Sequence, residues 1–279
     1  MNKLSYVKCP LCNQSELIKV QSFDNPPKGE TAFKSINNET YKRDILQCRC
    51  CGHFLASHEI NLSKIYNEDY LSSNYRNIEG IFSTYKRIMD LPHKESDNSL
   101  RVERLLDFAQ KHFQSNQCLD LLDIGSGLCV FIGKIVSLTN WKCTAVEPDG
   151  RYCEHAKNTL NIEVASEDYR TLFWQKKFDI ISLNKVLEHF EDPSSVLSKC
   201  ASELKRGGLI YIELPDGECA SKDKTGFNRQ EFFIDHYHAF SMASMEQLVR
   251  KSGLRSLCLE RVREPSKKYT LRGFLSHFD

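Results

Sequence analysis

Residues 119 to 127 read Leu-Asp-Leu-Leu-Asp-Ile-Gly-Ser-Gly, an apolar run that ends in Asp123, Gly125, Ser126 and Gly127 and leads straight into Leu128, Val130, Phe131 and Ile132. A strand that turns through bare glycines into a helix lets backbone approach a nucleotide-like ligand. The first two glycines permit the tight turn and leave no side chain at the contact, and an acid on the next strand can hold ribose hydroxyls. Trp141-Lys-Cys-Thr-Ala-Val146 reads as that next strand, and Glu147-Pro148 closes it. Glu147 stands about twenty residues beyond Gly127, as the ribose-binding role requires. A third small residue is missing, because Cys129 sits where many such turns carry glycine.

The register continues downstream. Phe178-Asp-Ile-Ile-Ser-Leu183 is a buried-strand pattern followed by Asn184-Lys-Val-Leu-Glu-His189. Asp192-Pro193, a helical stretch from Ser194 to Leu204, Arg206-Gly-Gly208 and a further strand over Leu209 to Leu214 come next. Upstream, Val102, Leu105, Leu106, Ala109 and Phe113 line one face of a helix over Leu100 to Phe113.

In this order the segments resemble the class I S-adenosylmethionine-dependent methyltransferases, over roughly residues 100 to 262. The string FDIISLNKVLEHFEDPSSVLSKCASELKRGGLIYIELPD is similar to that family's fourth strand, its post-strand motif, and the helix and Gly-Gly turn before the fifth strand. The resemblance implies an α/β fold with a doubly wound Rossmann-like sheet and S-adenosyl-L-methionine as cofactor. It assigns Asp123, Gly125, Ser126 and Gly127 to the methionine end of that cofactor and Glu147, with Pro148 beside it, to the ribose hydroxyls. Ser166 and Glu167, in the segment running to Asp168, take the adenine, and Asn184 takes the edge nearest the sulfonium. The segment Val164 to Asp168 lacks the Gly-Asp pair often found there. A hydride-transferring dehydrogenase is disfavoured, since the full three-glycine fingerprint is absent.

At 279 residues the chain has room for one large domain or one domain plus an appendage. Lys and Arg number 38 against 37 for Asp and Glu, so no net charge draws in a polyanion. Lys251, Arg255, Arg261, Arg263, Lys267, Lys268 and Arg272 gather near the C-terminus and read as a solvated surface and tail. No long apolar run follows Met1-Asn-Lys-Leu-Ser-Tyr6, so neither a signal peptide nor a membrane anchor is indicated and a cytoplasmic address is expected. In that setting the 12 cysteines point to metal binding or burial rather than disulfides.

Cys9-Pro-Leu-Cys12 and Cys48-Arg-Cys-Cys51-Gly52 form two Cys-x-x-Cys knuckles. Four thiolates in two such pairs meet tetrahedrally around one Zn²⁺, so Cys9, Cys12, Cys48 and Cys51 are the expected ligands of a structural ion, with Cys50 as a competitor. No thioredoxin-like strand-to-helix context supports a redox role instead. Cys118, Cys129, Cys143, Cys153, Cys200, Cys219 and Cys258 read as small buried hydrophobes. Residues 1–58 are therefore expected to form a zinc-ribbon-like lobe with little core of its own, packed on its neighbour. Residues 59–98, rich in aromatics from Ile65 to Tyr75 and at Phe82 and Tyr85, are expected as a helical connector that caps the pocket. Residues 99–279 form the methyltransferase-like domain, with a substrate lid near 215–240.

Open α/β sheets bind ligands beyond the carboxyl ends of their strands, which places Asp123, Glu147, Asn184 and the segment after Leu214 around one crevice. In that segment Asp235-His236 followed by Phe240-Ser241 resembles a pattern of sugar and natural-product methyltransferases, several of which carry a four-cysteine zinc lobe. The chain departs from the sugar C-methyltransferases in having Ile234 where the closest members have His, and in ending soon after the core. Transfer from a sulfonium is an in-line displacement that needs alignment above all, and a base only where the acceptor loses a proton. His236, oriented by the adjacent acid, is the expected base, with Tyr237 and His238 the next candidates and His189 a structural residue. The function expected is methylation of a small-molecule acceptor related to sugars, at O or C. Alternatives are an RNA methyltransferase with a zinc module, disfavoured by the charge balance, and a non-enzymatic interaction protein on a degenerate fold.

Overall fold

The computed structural model describes residues 8–31, 41–58, 78–114 and 117–278. Its strands are β1 (Leu17–Phe23), β2 (Arg43–Cys48), β3 (Phe54–His58), β4 (Asp120–Ile124), β5 (Lys142–Val146), β6 (Glu163–Ala165), β7 (Phe178–Asn184), β8 (Leu204–Pro215), β9 (His238–Ala239), β10 (Leu254–Arg263) and β11 (Tyr269–His277). Its helices are α1 (Ile78–Met89), α2 (Asp97–His112), α3 (Val130–Leu138), α4 (Gly150–Leu160), α5 (Pro193–Glu203), α6 (Gly217–Ser221) and α7 (Met242–Lys251). The aromatic stretch from Ile65 to Tyr75 lies outside the described residues. Phe82 and Tyr85 fall on α1, which packs against α3 and α4.

Seven strands form one sheet in the order β10-β11-β8-β7-β4-β5-β6, the doubly wound arrangement that the sequence implied. β4 through β8 pair in parallel, as βαβ crossovers require, and β11 enters antiparallel between β10 and β8. Tyr269 to His277 is thus the inner arm of the closing hairpin. It is buried on both faces from Thr270 to Ser276, Arg272 included. That arginine joins Arg101 of α2 on the fully buried Glu213: Arg101 Nε donates at 2.7 Å, Arg272 Nε at 3.1 Å and the Tyr211 hydroxyl at 2.7 Å. Burial alone would raise the Glu213 pKa, but the two guanidiniums outweigh it and hold the carboxyl down at about 2.

Two of the C-terminal basic residues are therefore committed to internal or bridging contacts. Arg272 is 6% exposed, and Arg261 reaches both Asp216 and Glu218. Arg272 is therefore not part of the solvated surface and tail that the spacing of these residues suggested.

Local signals set the helix ends. Ser96 caps α2 by accepting from Ser99 N–H, and Asp192 caps α5 by accepting from Ser194 and Ser195 N–H with Pro193 at the first helical position. α3 starts from Cys129 in a left-handed conformation, φ 58°. Such a backbone favours glycine, and here it carries a cysteine whose side chain is buried.

The N-terminal strands form a second sheet, β1-β2-β3-β9, whose last strand belongs to the segment between β8 and α7. Phe54 of β3 is 1% exposed and packs edge-on against Phe232, 5.4 Å between centroids, and Phe227, 6.1 Å. Burying one such ring stabilises by roughly 1.5–3 kcal/mol. A Cβ on Gly217 would stand 2.7 Å from the Phe54 ring, so the two units meet at a glycine for want of space.

Candidate active site

The crevice opens where the strand order reverses, between β4 and β7. Asp123, at the end of β4, is 2% exposed and its Oδ1 accepts from Ser182 Oγ at 2.7 Å and from Asn184 Nδ2 at 3.3 Å. Burial pushes the Asp123 pKa up to about 6 against those donors. Asn184 Oδ1 is buried without a hydrogen-bond partner among the described residues, an acceptor left over for a ligand. Gly125 (φ 67°) and Gly127 (φ 48°) carry the turn. A Cβ on Gly125 would stand 2.7 Å from Val186 Cγ2, so this glycine is required by packing as well as by φ.

Glu147, 9% exposed, faces the same turn: Oε2 accepts from Gly127 N–H at 2.8 Å and Oε1 from Asp149 N–H at 3.2 Å. Burial moves its carboxyl up to about 7, opposed by those two donors. Pro148 is exposed at the rim, and Ser126 turns its hydroxyl back to the Asp123 carbonyl at 2.8 Å. Ser166 and Glu167 are exposed just past β6, whose Ala165 carbonyl accepts from Glu147 N–H at 3.1 Å. The structure thus gathers Asp123, Gly125, Ser126, Gly127, Glu147 and Asn184 around one crevice, with Pro148, Ser166 and Glu167 along its edge.

Beyond Asn184 the chain makes a short 3-10 turn over Leu187–His189, and Tyr237 N–H donates to the Glu188 carbonyl at 2.9 Å. That bond lays residues 235–238 against the turn. His236 Nδ1 lies 3.1 Å from the Glu231 carbonyl and His189 Nδ1 2.9 Å from the Asp235 carbonyl. Carbonyls only accept, so both rings carry their proton on Nδ1 and are basic at Nε2 when neutral. The two rings meet at 4.9 Å and 72°. The orienting group for His236 is therefore a backbone carbonyl rather than the neighbouring acid, and His189, read from the sequence as structural, packs directly against it. The signal for it was present in the Glu188-His189 pair after β7.

His238 does not fit the role proposed for it. It is 1% exposed, its Nε2 donates to the Glu191 carbonyl at 3.2 Å, and its Nδ1 lies 3.1 Å from His53 Nε2. Both ring nitrogens are occupied, and burial lowers its pKa to about 4. Tyr237 stays half-buried, with burial pushing its hydroxyl up to about 12, which disfavours it as a base. A groove of about 420 Å³ lies beside this segment, lined by Arg170, Phe190, Glu191, Asp192, Ser195 and Val196.

The segment expected as a lid is clamped by the first lobe. Ala56 N–H donates to the Tyr237 carbonyl at 3.0 Å, Ile234 N–H to Glu30 Oε1 at 2.7 Å, Ser241 Oγ to the Cys51 carbonyl at 2.5 Å, and Arg43 to the Phe232 carbonyl. At the base of that lobe the sulfurs of Cys9, Cys12, Cys48 and Cys51 all lie within 4.8 Å of one another. Cys9 and Cys51 are 3.6 Å apart and Cys12 and Cys48 3.5 Å. Tetrahedral Zn²⁺ with bonds of ~2.3 Å spaces its sulfurs by about 3.8 Å, so the donor set fits that ion. Asn13 (φ 61°) and Gly52 (φ 69°) follow the second cysteine of each knuckle, and their N–H groups return to the carbonyls of Cys9 and Cys48. Cys50 points to solvent outside the cluster.

A family model described as a methyltransferase domain matches residues 87–259. Among curated proteins, the ubiquinone biosynthesis O-methyltransferase of Rickettsia typhi is 23% identical over 158 residues, 55% of this chain and 60% of that protein. Its namesake from a Bradyrhizobium species is 30% identical over 127 residues, 41% of this chain and 50% of that one. The matches thus span between half and three fifths of those relatives' length. Among solved structures, an S-adenosylmethionine-dependent methyltransferase from Clostridium acetobutylicum ATCC 824 superposes with a TM-score of 0.54 at 13% identity, over 72% of this chain and 99% of that one. Magnesium protoporphyrin IX methyltransferase from Synechocystis PCC 6803 with bound SAH gives 0.54 at 14%, over 71% and 94%.

Proposed function

The chain belongs to the methyltransferase-domain family, and from that premise we propose that it moves the methyl group of S-adenosylmethionine to a small acceptor bearing hydroxyl groups. The observation that carries this reading is the crevice itself. Two buried carboxyls, Asp123 and Glu147, flank bare backbone at Gly125 and Gly127, and Asn184 adds an unpartnered carbonyl oxygen at the mouth of β7. A ligand with an ammonium group, ribose hydroxyls and a sulfonium offers the donors and positive charge that those groups lack.

The cofactor supplies an electrophilic methyl on a good leaving group. The residues of this chain then have two tasks: alignment and removal of one proton. Val186, packed on Gly125, and the turn after β7 fix the distance between the cofactor crevice and the His189–His236 pair. His236 Nε2 is the group proposed to take the acceptor hydroxyl's proton as the oxygen–carbon bond forms, because its Nδ1–H is anchored and its ring remains half-exposed. Tyr237 lines the acceptor side.

Both curated relatives are named O-methyltransferases, which supports oxygen as the atom methylated. The adjoining groove, with Arg170, Glu191 and Asp192 in its wall, suits a polar acceptor such as a sugar, a nucleotide-linked sugar or a polysaccharide precursor. Arg261 and Arg272, engaged with carboxylates, do not contribute to a phosphate-binding face. The four cysteines would hold Zn²⁺ as a closed structural site with no open position for chemistry.

The test is calorimetry with S-adenosylhomocysteine followed by transfer of labelled methyl into small-molecule, RNA and protein pools of a cell extract. Binding together with label in the small-molecule or glycan pool is expected. Asp123→Ala should abolish the binding, and unchanged affinity in that variant would sink the crevice assignment. Label confined to RNA would overturn the acceptor class.

A further inference from the structure

We propose that Glu188, His189 and His236 form a binding site for a divalent first-row metal ion, separate from the four-cysteine cluster. One donor atom from each of the three lies within 4.8 Å of the other two. Glu188 is 0% exposed, and among the described residues neither of its carboxylate oxygens has a hydrogen-bond partner. A carboxylate buried in that state is costly unless a cation meets it. Lys185 acts on Glu188 through space but makes no hydrogen bond to it, its ammonium donating to the Leu214 carbonyl at 3.1 Å and Thr270 Oγ1 at 2.7 Å.

The two imidazoles are held as metal-ligating histidines usually are. Each donates Nδ1–H to a backbone carbonyl, which fixes the ring and makes Nε2 the electron-donating atom. The turn over Leu187–His189 fixes the first two donors. The Tyr237 N–H bond to the Glu188 carbonyl brings the third onto the same turn from a segment about fifty residues later. Two imidazoles and one carboxylate suit Mn²⁺, Fe²⁺, Co²⁺ or Zn²⁺ better than the oxygen-seeking Mg²⁺ or Ca²⁺. Three protein donors leave coordination positions open.

An external ligand taking those positions would be a hydroxyl or a pair of neighbouring oxygens of the acceptor. In the metal-bound form His236 would be a ligand, and an acceptor hydroxyl made acidic by the ion would release its proton to bulk water instead of to His236. This deepens the proposed function at the same site. Only the statement about the acceptor rests on that reading; binding of the ion does not.

The experiment titrates Mn²⁺ into the full chain, with zinc retained at its cysteines and loosely bound metal removed by a mild chelator, and follows the electron paramagnetic resonance signal of free Mn²⁺. One Mn²⁺ bound per chain is expected, weakened at least tenfold in Glu188→Gln and in His236→Gln. Zinc content and thermal melting of each variant report that it has folded. If the buried Glu188→Gln does not fold, the half-exposed His236→Gln carries the same comparison. Absence of Mn²⁺ binding, or unchanged binding in a folded variant, overturns the proposal. Full-rate methyl transfer by chelated protein would remove the ion from the reaction while leaving the methyltransferase reading intact. Mn²⁺ binding without any methyl transfer would leave the site standing and sink that reading.

Discussion

His53 Nε2 and His238 Nδ1 lie 3.1 Å apart in the interior, joining the second cysteine knuckle to the segment that carries His236. The direction of this bond follows from its ends. His238 Nε2 faces the Glu191 carbonyl and must carry a proton, so Nδ1 accepts and His53 donates. The first lobe thus reaches the acceptor segment through a defined hydrogen bond as well as through strand pairing.

His53→Ala should therefore separate the two halves of the site. It leaves a buried acceptor unpaired, at a cost of about 1–3 kcal/mol. The S-adenosylhomocysteine affinity is expected to stay within twofold while the acceptor KM rises at least fivefold. Equal loss of both, measured by calorimetry and steady-state kinetics, would show that the bond serves general stability alone.

Gly125→Ala tests the glycine turn. The new methyl would meet Val186 at 2.7 Å on a residue with φ 67°. Left-handed strain and overpacking together predict a loss of about 2–4 kcal/mol and a melting temperature lower by several degrees. Adding Val186→Ala should recover the packing part but not the strain. A double variant no more stable than the single one contradicts this account.

Glu147 gives a pH dependence with a defined sign. Its folded-state pKa, about 7, is raised above the unfolded value of about 4.3. Its contribution to stability is therefore complete below the unfolded value and lost as the pH rises through the folded one, on the order of 3 kcal/mol in all. Asp123, raised to about 6, adds in the same sense. Cofactor-free protein should lose stability between about pH 4 and pH 7, and Glu147→Gln should flatten that slope. Parallel melting curves for the two proteins would contradict the buried-acid assignment.

Cys12→Ser removes one donor of the four-sulfur set. Metal content by mass spectrometry should fall below one zinc per chain, and methyl transfer should drop more than tenfold. Cofactor affinity should change little, because Asp123, Glu147 and Asn184 are held by hydrogen bonds within the parallel sheet and its turns. Full zinc occupancy in this variant would refute the ligand set.

The parallel sheet was legible in the sequence because its strands are buried on both faces and end in motifs with fixed chemistry, as at Asp123, Glu147 and Asn184. The cysteine set was legible from spacing. What stayed hidden depends on contacts between distant segments. His53 and His238 are separated by 185 positions, so no local pattern links them. For the same reason the sequence offered His238 as a base and did not reveal that His189 meets His236, although burial and the Asp235 carbonyl determine both. Arg272 read as part of a basic tail because its partner, Glu213, lies 59 positions earlier.

The pairing of β3 with β9 also bears on how the chain is made. Phe54–His58 leaves the ribosome long before its partner His238–Ala239, some 180 residues later. At ordinary elongation rates that interval is roughly 9–36 s. During it the nascent lobe presents an open strand edge and the bare faces of Phe54 and Ala56, the surfaces most prone to intermolecular pairing. Yield in a cell should therefore depend on chaperones that shield this edge, and a translation pause upstream of codon 238 should increase aggregation even though the finished protein is unchanged.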